Sequence, residues 1–189
     1  MGDANLTGYS ALAIVSNYGV EQDELIVPVQ HLRDDGADID VAAPAADTIQ
    51  TLVGDRDQGK TVEPTLALDQ VEPADYDLLF IPGGTLNADT LRRNETAIGI
   101  VRAFTSTGAP VAAICHGPWA LVEAGATEGK TLTSYPSLQT DIRNAGGTWV
   151  DRPVVTDDAG YPLITSRRPD DLDDFVREID AVLTAGATA

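Results

Sequence analysis

Short apolar, β-branched runs alternate with amphipathic helical patterns along nearly the whole chain, and this alternation restricts the fold more than any other feature. "YSALAIVS" (9–16), "DIDVAAP" (38–44), "YDLLFIPGG" (76–84), "APVAAI" (109–114), "TWVDRPVVTD" (148–157) and "YPLITSR" (161–167) read as strands. "EQDELIVPVQHLRDDG" (21–36) reads as a helix with Leu25, Ile26, Val29 and Leu32 on one face and Gly36 as its stop. Pro28 falls in its first turn or two, or kinks it. Residues 89–107, a segment starting just after Cys115, residues 136–147 and residues 169–186 read as further helices. The stretch 47–67 reads as a β-excursion with a turn near Gly59. The alternation predicts one α/β domain: a flavodoxin-like, mostly parallel sheet with helices on both faces, over residues 9–186. Residues 1–8 read as a loose arm and the last residues, "TAGATA", as frayed. In such sheets ligands bind outside the carboxyl ends of the strands. Two segments, "IPGG" and "AICHG", lie at such ends.

The charge is strongly one-sided. Thirty acidic residues face 12 basic ones, a net charge of −18, and Lys60 and Lys130 are the two lysines. Self-repulsion of this size destabilises a compact state. Molar salt removes the penalty, because the Debye length falls to about 3 Å. The composition therefore favours a salt-adapted source, with an acidic mesophilic protein as the alternative. Nucleic acid is not an expected partner. No apolar run reaches the length of a membrane span, and the N-terminus lacks the basic and apolar regions of a signal peptide. A single cysteine permits no internal disulfide and fits a reducing cytoplasm. Two histidines and one cysteine barely permit a zinc site, and neither metal nor cofactor is expected.

Two segments imitate phosphate-binding loops. "GDRDQGKT" (54–61) fits the G-x-x-x-x-G-K-T pattern, and "AGATEGKT" (124–131) fits it with Ala first. The pattern works when a helix follows and its N–H groups cradle phosphate. Here "VEPTLALD" and "TLTSYP" follow, neither of them helical, and Asp55 and Asp57 would repel the anion. A hairpin tip and a helix-to-strand connection account for both.

The chemistry concentrates at "AAICHGPWALVEAG" (112–125), which holds the lone Cys115 beside His116. Small residues stand two before the cysteine (Ala113) and two after it (Gly117). That is the spacing of a nucleophile elbow, a tight strand-to-helix turn. A helix N-terminus there would lower the thiol pKa, and the His116 N–H would be free to stabilise an oxyanion. A buried, inert cysteine fits the elbow pattern equally well. The Gly83–Gly84 loop could supply a second oxyanion N–H, and Glu21 brings a carboxyl to the same sheet edge. Neighbours i and i+1 on a helix do not face each other, so His116 serves Cys115 only if the elbow bends the chain or a substrate bridges them. His31, near the end of its helix, reads as a surface or interface residue.

"AICHGPWALVEAG", "FIPGG" and "VEQDELIVPVQHLRDDGADIDVAAP", with "TSYPSLQTDIRNAGGTWVD" and "LITSRRPDDL", resemble the ThiJ/PfpI superfamily, in particular its PfpI-like intracellular peptidase and deglycase branch. The resemblance implies a class I glutamine amidotransferase-like fold. It implies Cys115 as nucleophile, His116 as general base, Glu21 as the carboxyl that hydrogen-bonds the sulfur, and Gly84 as an oxyanion donor. It places a further acid, matched by Asp89, across the interface to a second subunit of a homodimer or homohexamer. Tyr18, Trp119 and Arg167 are candidate pocket residues.

Two functions follow. One is a cysteine hydrolase acting on peptide bonds, or on glyoxal or methylglyoxal adducts, with a stress-protective role. The other is a non-enzymatic redox-sensing or chaperone-like stress protein. An amidotransferase subunit would need a His-x-Glu pair late in the chain, and none occurs.

Overall fold

A computed structural model describes residues 4–185. The elements, in chain order, are β1 (Ser10–Ile14), β2 (Tyr18–Glu21), α1 (Gln22–Asp34), β3 (Asp38–Ala43), β4 (Ile49–Val53), β5 (Asp57–Val62), β6 (Leu66–Ala67), β7 (Leu78–Ile81), α2 (Thr85–Leu91), α3 (Glu95–Thr107), β8 (Val111–Ile114), α4 (Pro118–Ala124), β9 (Thr131–Leu132), α5 (Gln139–Asn144), β10 (Thr148–Trp149), β11 (Val154–Asp157), β12 (Leu163–Ser166) and α6 (Leu172–Ala185).

The central sheet has the order β11-β12-β8-β7-β1-β3-β6. Its pairings are parallel except for the edge strand β11, which runs antiparallel to β12. The flavodoxin-like expectation therefore holds. Period-two alternation sends successive residues of each strand to opposite faces. Ala112 and Ile114 of β8 join Phe80 in a core with Leu25, Val29 and Leu32 of α1 and Phe175 and Ile179 of α6. Val111 and Ala113 join Leu79 and Ile81 in a second core with Val101 and Phe104 of α3 and Leu121 of α4. Both faces are covered, so β7 and β8 can be apolar at every position.

Several boundaries differ from the sequence reading. The excursion at 47–67 is a hairpin that turns at Gly54–Arg56, not near Gly59, which lies inside β5. Gly54 and Asp55 both take positive φ, 64° and 57°, which makes the turn. The first phosphate-loop imitation is thus that hairpin's tip and second strand. The helix expected at 89–107 is two helices broken after Leu91, and Asn94 caps the second through its side chain. The strand expected at 148–157 is interrupted between β10 and β11, where Pro153 has no N–H to give a ladder. The expected loose arm packs in part: Leu6 is fully buried and its N–H donates to the Asp35 carbonyl. Residues 1–3 of that arm, and the end of the tail expected to fray, lie outside the described residues.

Pro28 sits in the second turn of α1, on the buried face. His31 is half-buried rather than exposed. Its Nε2 lies 2.9 Å from Asp180 Oδ2 of α6 and 3.4 Å from Asp35 Oδ2. The Asp180 carboxylate raises its pKa above the usual value. Among the described residues, no helix is long and apolar enough to cross a membrane.

Candidate active site

The site is assembled at the carboxyl ends of β7 and β8, with a contribution from the start of α1. The chain leaves β8 into Cys115, which adopts φ 60°. A left-handed conformation at a non-glycine residue costs of order 1–3 kcal/mol and persists only when its surroundings enforce it. Here the Cys115 N–H donates to the Ser166 carbonyl of β12 at 3.0 Å, and its own carbonyl accepts from Tyr135 N–H at 2.8 Å. Gly117 sits so close to β7 that a β-carbon would overlap the Ile81 carbonyl oxygen. The elbow spacing in the sequence therefore has the strand-to-helix geometry it implied.

The bend places Cys115 and His116 side by side. His116 Nδ1 is 3.2 Å from Cys115 Sγ, so the elbow removes the objection that adjacent helical residues face apart. The imidazole stacks on Tyr135 at 4.6 Å between centroids and meets Trp119 at a tilt. Its Nε2 is 3.4 Å from Thr85 Oγ1 and 3.3 Å from Ser137 Oγ. Burial holds its pKa below the usual histidine value, which leaves a neutral ring able to take a proton at neutral pH.

The carboxyl against the sulfur is Glu24, not Glu21. Glu24 is fully buried beside Cys115, accepts the Gly83 N–H through Oε2 at 3.0 Å, and leaves Oε1 without a hydrogen-bond partner. Burial, chiefly, pushes its pKa up to about 8. Glu21 ends β2 in extended backbone and turns the other way. Its two carboxylate oxygens accept the N–H groups of Gly54 and Asp55 at the hairpin tip, at 3.0 and 3.1 Å. The sequence did carry a signal for Glu24: it lies four and eight residues before the buried Pro28 and Leu32, so it is a charge on an apolar stripe.

The thiol pKa is also corrected. Burial pushes Cys115 well above the usual value, and an ionised Glu24 would push it further. The N–H groups of Gly84 and His116 point at the sulfur and oppose this, but less strongly. The helix that was expected to lower it begins only at Pro118 and runs seven residues, too little to offset desolvation. Cys115 is itself 6% exposed.

The remaining candidates are scattered. Gly84, at φ 85°, packs against the Gly19, Val20 and Glu21 backbone of β2 and directs its N–H at the sulfur. Trp119 borders His116, donates to Asp141 at 2.8 Å and lies under the Arg92 guanidinium. Asp89 is half-exposed and held by Arg92 at 2.9 Å; it does not touch His116 of its own chain. Arg167 is ion-paired with Asp151 and Asp171, at 2.7 and 2.8 Å. Tyr18 is half-exposed on β2, beside Gly19. The sequence reading did not find Thr85, Ser137 or Tyr135, which come from separate loops and carry no local motif.

A parallel α/β sheet with a cysteine at a strained strand-to-helix elbow, a histidine on its sulfur and a buried carboxyl behind it defines a flavodoxin-like cysteine-elbow protein. The chain belongs to the DJ-1/PfpI family, whose sequence model matches residues 10–181. It is 36% identical to a deglycase of Thermococcus kodakarensis over 90% of this chain and 97% of that one. It is 36% identical to general stress protein 18 of Bacillus subtilis over 91% and 96%. The crystal structure of Drosophila melanogaster DJ-1beta superposes with a TM-score of 0.82 at 32% identity, over 93% of this chain and 90% of that one. A two-domain protein of Anabaena variabilis, with DJ-1/ThiJ/PfpI-like and ferritin-like domains, superposes at 0.85 with 28% identity; this chain spans about half its length, 48%.

Proposed function

We propose that the protein is a Cys115-dependent enzyme that removes glyoxal- or methylglyoxal-type adducts from amines, with peptide-bond hydrolysis as the competing activity of the same site. The observation that carries this is the 3.2 Å approach of a buried neutral imidazole to a sulfur at a positive-φ elbow. Transfer of the thiol proton to His116 Nδ1 makes a thiolate, which adds to a carbonyl carbon. The oxygen that gains charge lies where the N–H groups of Gly84 and His116 converge. From a peptide bond the imidazolium then protonates the departing amine, leaving a Cys115 thioester that water hydrolyses; from a carbinolamine adduct it protonates the amine as the C–N bond breaks, Cys115 takes that carbon as a hemithioacetal, and this falls apart to the dicarbonyl and free thiol. Glu24, held neutral by burial, would offer a proton toward the thiolate from its unpartnered Oε1 without adding a second negative charge. The deglycase name of the Thermococcus relative supports the adduct over the peptide.

The test is release of free amine from a methylglyoxal-treated lysine peptide and cleavage of an unmodified peptide amide, wild type against Cys115→Ala. Cys115-dependent release from the adduct supports the reading. Equal release by both forms removes it, and Cys115-dependent cleavage of the unmodified peptide alone reassigns the enzyme as a peptidase. A second reading, a redox-responsive stress protein, draws on the neutral Glu24 that could hydrogen-bond an oxidised Cys115 and on the name of the Bacillus relative. Clean mass spectra after mild peroxide, with Cys115 still reduced, would end it. In the enzyme reading Asp89 serves the His116 of a second copy, so activity would be lost on dilution to monomer.

The acidic surface supports salt adaptation of the same domain. Between about 0.1 M and about 2 M potassium chloride the thermal midpoint should rise by roughly 5–10 °C, a gain of about 2–3 kcal/mol for a chain of this size. A flat or falling midpoint in scanning calorimetry would refute it.

A further inference from the structure

The hydroxyl of Thr85 stands between a carboxylate and the imidazole of His116. Thr85 Oγ1 is 2.7 Å from Asp55 Oδ2 and 3.4 Å from His116 Nε2. A carboxylate can only accept, so the Thr85 hydrogen goes to Asp55. The Thr85 oxygen then offers only lone pairs to the ring, and a bare Nε2 would repel them. The Thr85 contact is therefore attractive only when Nε2 carries its hydrogen, and in a neutral imidazole Nδ1 is then bare. The bare nitrogen is the one that faces Cys115 Sγ at 3.2 Å.

Asp55 is fixed for this purpose from three sides. Its φ of 57° turns the hairpin tip toward α2. Glu21 holds the N–H groups of Gly54 and Asp55, and Asp55 Oδ1 accepts the Thr85 N–H at 2.8 Å. This gives Glu21 a role different from the one the sequence suggested. Ser137 Oγ, 3.3 Å from Nε2, does not choose the tautomer, because its hydroxyl can rotate to donate or accept.

We propose that Asp55 and Thr85 are positioning residues that set the His116 tautomer, making Nδ1 the base toward Cys115, with Glu21 clamping the hairpin tip that delivers Asp55. The proposal deepens the enzyme reading above and rests on it for its kinetic consequence. The proton balance is simple. The S–H proton moves to Nδ1, leaving thiolate and imidazolium; the Nε2 hydrogen stays on the ring, and the Thr85 hydrogen stays with Asp55. The relay lies within one chain, and the Asp89 of a second copy would accept the same Nε2 hydrogen and reinforce the same tautomer.

Asp55→Asn tests this without changing shape, since asparagine tolerates positive φ well. Its Oδ1 would keep the Thr85 N–H, so its amide NH2 would face Thr85 Oγ1 and reverse the direction of the relay. Nitrogen-15 NMR of the imidazoles reads the tautomer directly, and the chain has only two histidines to assign. Wild type should show Nε2–H, and Asp55→Asn should move His116 toward Nδ1–H. Turnover of the methylglyoxal-treated peptide should fall about tenfold to a hundredfold in kcat with little change in KM, less than a directly bonded triad acid because Thr85 intervenes. Thr85→Val should lose a similar factor, and Thr85→Ser should restore most of it. An Nδ1–H wild type, an unchanged tautomer in Asp55→Asn, or a changed tautomer with unchanged kcat overturns the proposal. If Cys115→Ala leaves turnover intact, the enzyme reading fails instead, and the NMR result still decides whether the relay exists.

Discussion

Gly117→Ala is expected to destabilise the domain by about 3 kcal/mol or more and to abolish Cys115-dependent turnover. The residue's own φ, −50°, is compatible with alanine, so backbone strain is not the reason. The added methyl would overlap the Ile81 carbonyl oxygen of β7 and lie 2.9 Å from the Ile114 carbonyl oxygen of β8. Both are backbone atoms of central strands and cannot swing aside. The elbow must move away from β7, and Cys115 then leaves the N–H groups of Gly84 and His116. Gly99→Ala is the matched control. It lies within α3, and its new methyl would meet nothing within 4 Å. It should stabilise by about 0.5–1 kcal/mol through helix propensity. Urea denaturation of the pair, with turnover measured on the folded fraction, checks both. A Gly117→Ala protein as stable and active as wild type would mean that the elbow does not need the close approach seen here.

Glu24→Gln is expected to flatten the dependence of stability on pH. The cause is desolvation of a fully buried carboxyl, whose pKa rises from 4.5 to about 8 on folding. The unfolded chain releases this proton near pH 4.5, while the folded chain keeps it until about pH 8. Between those values the folded state binds more protons, so stability falls as pH rises, by up to about 1.4 kcal/mol per unit. Below the lower value the group makes no difference; above the upper one the full penalty is in place. Glutamine is neutral throughout and can still accept the Gly83 N–H. Between about pH 5 and about pH 8 wild type should therefore lose roughly 3–4 kcal/mol relative to the variant. Parallel stability profiles, measured by urea titration at each pH, would show that Glu24 ionises normally in the folded chain.

Both residues illustrate how much of the site could be read in advance. The small residues around Cys115 identified the elbow, because close approach of a strand and a helix leaves room for nothing larger. Gly84 was also legible, as the end of an apolar strand. Glu24 was not chosen, although its place on the stripe with Pro28 and Leu32 marked it. The strand-end position of Glu21 was the more obvious cue, but a short strand, β2, intervenes there and turns Glu21 toward the hairpin tip. Asp55 and Thr85 lie 30 residues apart, and either alone is an ordinary turn or helix-start residue.

By itself the sequence determined the parallel sheet, its two covered faces and the place where chemistry could occur, since strand and helix periodicities and a crowded turn are local properties of the chain. Only the tertiary structure decided which carboxyl reaches the sulfur, that burial raises the thiol pKa instead of lowering it, and which hydroxyl faces His116. Those outcomes depend on side chains that converge from distant segments and on the water their packing removes, and neither quantity is encoded in any single stretch of residues.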